Sequence, residues 1–384
     1  MTNDNAAPGG IRVIAAAIML ITLVGVALSV SNPLLSLTLE QWGTSSTLSG
    51  LTATGAGLGT VLIVPLVPLL ARMLGIPVVL GGALAVSALG MSSFYLFPNI
   101  AAWAALRFML GCGLGLIFTL AEYWINAAAP PEKRGFVMGC YATAIYAGFA
   151  LGPIIFGLVG TKGALPFLVT GGIMALGLIP LVLAGKRAPR LDEPATGTVL
   201  GFIFAAPTAT FGAFIFGALE TGVIIMLAVH AVRLGFTELQ AGTLLSAFTL
   251  GNVLFQLPIG LISDRVDRRK LLLTLSSFST LLALALPYGP PDIWRFAALL
   301  FFLGGISGAI YSVGLAHLGA RFSGTDLASA NAAFVMLYSI GLMVGPLLIG
   351  YAMDKAGVLG LPLAVAVMLG SYALLVLVRL RQKP

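Results

Sequence analysis

Charge is the scarcest commodity in this chain: only 9% of its 384 residues are Asp, Glu, Lys or Arg. A soluble domain carries about 25%, so a water-surrounded globule is excluded. Disorder is excluded too, because it needs high charge and low hydrophobicity. Cysteine is as rare: Cys112 and Cys140 both lie in apolar runs and give no disulfide framework. Two histidines leave no metal-ligating cluster, and without a P-loop direct ATP coupling is not expected. No heptad pattern runs through the chain. What is present is 59% hydrophobic residues, 48 glycines and 21 prolines. Apolar runs long enough to cross a bilayer recur along nearly the whole length. The chain reads as an all-α, polytopic membrane protein.

Twelve spans are expected. The first six cover roughly 11–37, 48–71, 76–97, 101–127, 135–159 and 164–185, and the last six roughly 206–232, 240–262, 270–288, 294–318, 328–351 and 359–379. The opening MTNDNAAPGGIRV lacks the basic region and cleavage site of a secretory signal, so the first span is expected to be retained. The most polar stretch, Lys186–Thr198, falls at the midpoint. The expected organisation is therefore a six-helix half over 1–185, a linker over 186–205 and a second half over 206–384.

Lys and Arg concentrate on the cytoplasmic side of multi-pass proteins. With both termini inside, fifteen of the 20 basic residues fall in cytoplasmic segments. Four, Lys162, Arg233, Arg295 and Lys355, fall outside, and Arg107 lies within the fourth span. The net charge of +7 is thus a topology signal rather than a nucleic-acid footprint. The lipid bilayer is the expected surrounding, in a cell inner membrane with both ends and the linker cytoplasmic.

Comparing the chain with itself exposes a repeat. Gly111 and Gly115 recur as Gly304 and Gly308, shifted by 193 residues. Gly148, Gly152, Pro153 and Gly157 recur at the same shift as Gly341, Gly345, Pro346 and Gly350. Gly43 and Gly50 match Gly235 and Gly242 at a shift of 192, half the length. Six spans per half give both halves one orientation, a parallel repeat about the membrane normal, as in carriers with a site between rocking halves.

These residues resemble the major facilitator superfamily. Gly260-Leu-Ile-Ser-Asp264-Arg265-Val-Asp267-Arg268-Arg269 is similar to that family's cytoplasmic G-x-x-x-D-R-x-G-R-R signature, with Asp267 in place of Gly. In the fourth span, Arg107-Phe-Met-Leu-Gly111-Cys-Gly113 is similar to its R-x-x-x-G-x-G signature. Leu106–Glu122 and Leu257–Asp264 look most like the short bacterial YcaD-like carriers. The resemblance implies two pseudo-symmetric six-helix halves working by alternating access, as a monomer without cofactor. It implies a conformational latch at Asp264, Arg265 and Arg268, and a substrate path faced by spans 1, 4, 7 and 10, which favours Asn32, Glu220 and Tyr311. The Gly-Pro pattern of the fifth span is like that of antiporters and leans toward export, although its recurrence in span eleven dilutes the signal. One departure matters: Arg72 stands at the first-half position matching Asp264, and Pro68 replaces the first glycine.

The residues themselves support a chemistry. Ionisable groups within spans are costly and are functional candidates. Glu220 lies about twelve residues from either end of the seventh span, about 18 Å deep. Burial disfavours its charge, so it suits proton loading or contact with a cationic substrate; the bland alternative is a protonated acid bonded between helices. Arg107 sits about 9 Å inside the fourth span, within snorkelling reach of the surface. Glu122, fifteen residues further, is about 22 Å away along the axis and needs a separate partner or an interfacial position. Asn32, Asn252, Gln256, Tyr311, Asn331 and Tyr338 either line a cavity or bond helices together. Gly148, Gly152 and Pro153, with Gly341, Gly345 and Pro346, bring helices close and bend them. Met226 and His230, four apart, have spacing for a soft metal such as copper, but no second pair accompanies them. Neither that pair, nor Cys112 with Cys140, nor His317 near the inner end of span ten is expected to bind metal.

The expected function is secondary active transport of a small, amphipathic solute coupled to protons. The rivals are an importer of a nutrient or metal, and a sensor or assembly factor keeping the carrier fold. An enzyme would need a convergent nucleophile, base or metal set, which the scattered acids do not supply.

Overall fold

The computed structural model describes residues 9–43, 46–184, 188–189, 191, 196–288 and 292–381. The rest of the expected linker, including Lys186, Arg187 and Arg190, lies outside the described residues. The first half forms α1 (Gly9–Gln41), α2 (Ser46–Ile63), α3 (Val67–Leu74), α4 (Ile76–Ser93), α5 (Ile100–Ala128), α6 (Arg134–Val159), α7 (Leu165–Leu176) and α8 (Leu178–Ala184). The second forms α9 (Val199–Ala205), α10 (Pro207–Arg233), α11 (Glu238–Ser263), α12 (Arg268–Ala285), α13 (Ile293–Arg321), α14 (Gly324–Ala356) and α15 (Gly360–Arg381). No strand occurs among the described residues.

Twelve of these stretches are spans. Among the described residues ten are long and apolar enough to cross a membrane, and the longest, Gly324–Arg381, contains both α14 and α15. The twelfth, α12, has 18 residues but opens on Arg268, Arg269 and Lys270. Two spans are broken rather than continuous, each for a local reason. Pro65 and Pro68 lack the amide hydrogen that a continuous helix needs, and a 3-10 turn at Val64–Leu66 separates α2 from α3. Gly177 separates α7 from α8. The expected linker also changes: Val199–Ala205 is an apolar run that folds as α9. It stops at Ala206, whose φ of −127° and ψ of 52° leave the helical region, as the residue before Pro207 must.

Helix starts are set by short side chains in the sequence. Asn99 accepts from the Ala102 amide at 2.8 Å, and Thr237 with Gln240 forms a reciprocal capping box. Asp267 caps α12 by accepting from the Arg269 and Lys270 amides. Desolvation alone would raise its carboxyl, but those amides and the adjacent cations outweigh it and hold it below the usual carboxylate range.

The chain forms two compact units, one of residues 1–131, 141–200 and 322–336, the other of 132–140, 201–321 and 337–384. Each thus takes one short segment from the opposite half of the sequence. The core of the first unit includes Leu34, Phe94, Trp103 and Phe167, and that of the second Leu219, Leu227, Leu300 and Tyr372. Large apolar side chains that stay exposed, such as Met73, Leu89, Leu183 and Leu281, suit a lipid surrounding.

Glycine explains the close helix pairs and displays the repeat in three dimensions. A methyl on Gly111 of α5 would overlap the Ala56 carbonyl oxygen of α2, and one on Gly304 of α13 would overlap that of Phe248 of α11. Gly148 meets the Thr22 carbonyl as Gly341 meets that of Phe214, each a span-five or span-eleven helix against the first span of its half, α1 or α10. Gly152 and Gly345 similarly abut Ser29 and Ala218. Pro346 lies inside α14; the Pro153 side chain is outside what is described. Matching Gly43 and Gly235 both have positive φ, 71° and 90°, and end the first span of each half, α1 and α10, in a left-handed turn.

Candidate functional site

Glu220 sits in the middle of α10, as expected, and has a defined partner. The Tyr338 hydroxyl of α14 donates to its carboxylate at 2.6 Å. Tyr338 stacks on Phe216 with centroids 6.0 Å apart, and Tyr311 of α13 meets both rings at 5.2 and 5.3 Å. Glu220 and Phe216 are one helical turn apart, so their side chains share a face. A half-buried carboxyl is thereby bonded to one member of a cluster of three aromatic rings within the second unit.

The other expected residues are distributed. Arg107 does not snorkel: it is 7% exposed, and its Nε and one terminal nitrogen are buried without a hydrogen-bond partner among the described residues. Glu122 is fully buried in α5 and accepts from the Tyr141 hydroxyl of α6 at 2.6 Å, in company with buried Tyr123, Trp124 and Asn126. Asn32 is on an exposed face of α1.

Asn252 and Gln256 join in a chain between helices. Gln256 donates to Asn252 at 2.8 Å and accepts from Ser312 of α13 at 2.8 Å, all three buried. Asn331 is fully buried in α14, with both side-chain polar atoms lacking a partner among the described residues. His230 lines a small apolar crevice with Leu234 and Phe296, while Met226 faces Gly350 of α14, so the two do not converge. The Cys112 thiol is directed at the Gly59 carbonyl at 3.5 Å.

Asp264, at the end of α11, binds a helix start. Its two oxygens accept from the Gly135 and Phe136 amides of α6 at 2.6 and 2.8 Å, and Arg268 pairs with it at 3.0 Å. Exposed amides at a helix N-terminus and its partial positive charge favour a carboxylate there. Arg265 is exposed and takes no part in a salt bridge among the described residues. Gly135 is necessary to the approach, because a methyl there would overlap the Ser263 hydroxyl and crowd the Gly260 carbonyl at 2.5 Å. The equivalent Arg72 is exposed.

Two hydrogen-bonding partners were not apparent from sequence. Tyr141 has no periodic relation to Glu122, and Asp326, in the first turn of α14, accepts from the Thr196 amide and hydroxyl at 2.7 and 2.9 Å. The only hint of the second was an acid just inside a helix start.

Comparison with known proteins agrees with this geometry. The profile of the Major Facilitator Superfamily matches residues 17–208 and 209–384, dividing the chain close to its internal repeat. The Bacillus subtilis uncharacterized MFS-type transporter YfkF is 26% identical over 352 residues, 88% of each chain. The Escherichia coli uncharacterized MFS-type transporter YcaD is 24% identical over 264 residues, 67% of each. Among solved structures, the E. coli fucose:proton symporter FucP superposes with a TM-score of 0.79 at 17% identity, over 97% of this chain and 98% of that one. Twelve membrane-spanning helices, an internal six-helix repeat and a profile match across nearly the whole length lead to one conclusion: the chain belongs to the major facilitator superfamily and is an MFS transporter.

Proposed function

We propose that the protein is a proton-coupled secondary transporter in which Glu220 carries the proton and a small amphipathic solute is moved by alternating access. The observation that carries this reading is the hydrogen bond from Tyr338 to Glu220 inside a ring cluster at mid-span. The pairing of a ring cluster with one carboxyl favours a solute with an apolar body and few polar groups. The fold is shared with a protein titled a fucose:proton symporter, which is in keeping with proton coupling. The Gly-Pro pattern of α6 favours export. The two halves, with both termini and the linker cytoplasmic, are the rocking elements, and Asp264 with Arg268 is the latch at the α6 start.

Glu220→Gln tests the mechanism, because glutamine keeps size and hydrogen bonding but exchanges no proton. In proteoliposomes the variant should lose uphill transport driven by a pH gradient while keeping downhill exchange of the same labelled solute. Unchanged uphill transport by well-folded variant protein would remove Glu220 from the coupling step.

A further inference from the structure

We propose that the cavity at the Trp42 end of the first unit is an accessory binding site for a planar aromatic monoanion. The cavity has a volume of 640 Å³, within the range of small-molecule sites. It lies where α1 ends, where α4 turns into α5 and where α6 turns into α7. Trp103 is its floor: fully buried, it is locked by donating its indole N–H to the Phe94 carbonyl at 3.1 Å. Trp42 packs on it at 4.6 Å and Phe94 meets it edge-on at 4.9 Å. Trp42 and Tyr95 remain 40% and 48% exposed, so they offer ring surface to a ligand at the opening.

The polar lining narrows the ligand class. The Thr38 hydroxyl is already donated to the Leu34 carbonyl at 2.7 Å, and Gln41 donates to Thr161 at 3.0 Å. Lys162 is the one charged residue in the lining, and it is exposed. A flat ring stacked on Trp42 and Tyr95, with one carboxylate on Lys162, matches what the walls offer.

The internal repeat supplies a control within the molecule. In the second unit, His230, Leu234, Leu286, Pro287 and Phe296 line a crevice of 60 Å³. They stand at the positions of Thr38, Trp42, Phe94, Tyr95 and Trp103, shifted by 192 or 193 residues. The crevice itself therefore comes with the fold. What is particular to the first unit is a volume about ten times larger, exchanged side chains and a lysine in the lining; the repeat of that lysine, Lys355, does not line the second crevice. This site shares no residue with the Glu220 cluster, and its occupancy is independent of proton coupling.

The test uses the full chain in phosphatidylcholine nanodiscs, with 1-naphthoate as the probe, followed by calorimetry and tryptophan fluorescence. Saturable one-to-one binding is expected, about tenfold tighter than that of neutral 1-naphthalenemethanol. Lys162→Ala should weaken it about tenfold and Lys162→Arg should restore it. Trp42→Leu, which installs the residue of the second unit, should abolish it in protein whose melting temperature is retained. Glu220→Gln should leave it intact, so failure here is distinct from failure of the coupling role. Equal binding of acid and alcohol, binding undiminished by both Lys162→Ala and Trp42→Leu, or no saturation would each overturn the proposal. Loss of naphthoate binding in phosphatidylglycerol nanodiscs would also overturn it, by assigning the crevice to a lipid headgroup.

Discussion

At Gly111 one methyl group separates packing from collision. The Ala56 carbonyl is backbone and has no rotamer to change, so Gly111→Ala must push α2 and α5 apart. Overpacking of this kind costs about 1–3 kcal/mol. Gly82 of α4 is the contrast, with nothing within 4 Å of an added methyl, and there alanine should be neutral or stabilising by up to about 1 kcal/mol. Melting temperatures of the two variants in one detergent should move in these different senses; an equal drop would mean that the α2–α5 seam is not limiting. The sequence shows that Gly111 recurs as Gly304, but both are ordinary helical glycines by pattern. The partner that makes each necessary comes from another helix. Glu122 shows the same limit: its depth in α5 is readable, whereas the Tyr141 hydroxyl that meets it belongs to the next helix.

Among the elements, the α11–α12 loop shows how a short motif becomes a mechanical part. Asp264 is expected at a helix N-terminus on charge grounds, and the one it occupies is that of α6. The exchange of segment 132–140 into the second unit follows the same contacts, through Gly135 and Gly260. Asp264→Asn keeps the shape but replaces one charge-assisted acceptor with an amide nitrogen facing a donor. Its transport rate should therefore fall several-fold below that of Arg72→Gln at matched expression, since Arg72 is exposed. Equal rates in the two variants would return Asp264 to a role in topology alone. The motif was legible because its residues are contiguous. Arg268 rather than Arg265 as the partner was not, since it depends on which side chain the first turn of α12 aims back at α11.

For the whole molecule, the orientation of the bundle is a matter of charge. Fifteen of 20 basic residues on one side predict a cytoplasmic linker. A cysteine placed at position 190 in intact cells should escape an impermeant maleimide and react after permeabilisation; labelling before permeabilisation would reverse the topology. The sequence by itself determined the membrane class, the twelve spans, the repeat and the family, because each depends on residues near one another in the chain or at one fixed shift. Only the tertiary structure decided that Tyr338, clustered with two further rings, bonds to Glu220, that Asn252 and Gln256 bond to each other and Ser312, and that one copy of a repeated crevice opens wide. Spans this apolar on every side carry little record of which face meets which neighbour, so that choice is made by glycine contacts and polar pairs between distant helices.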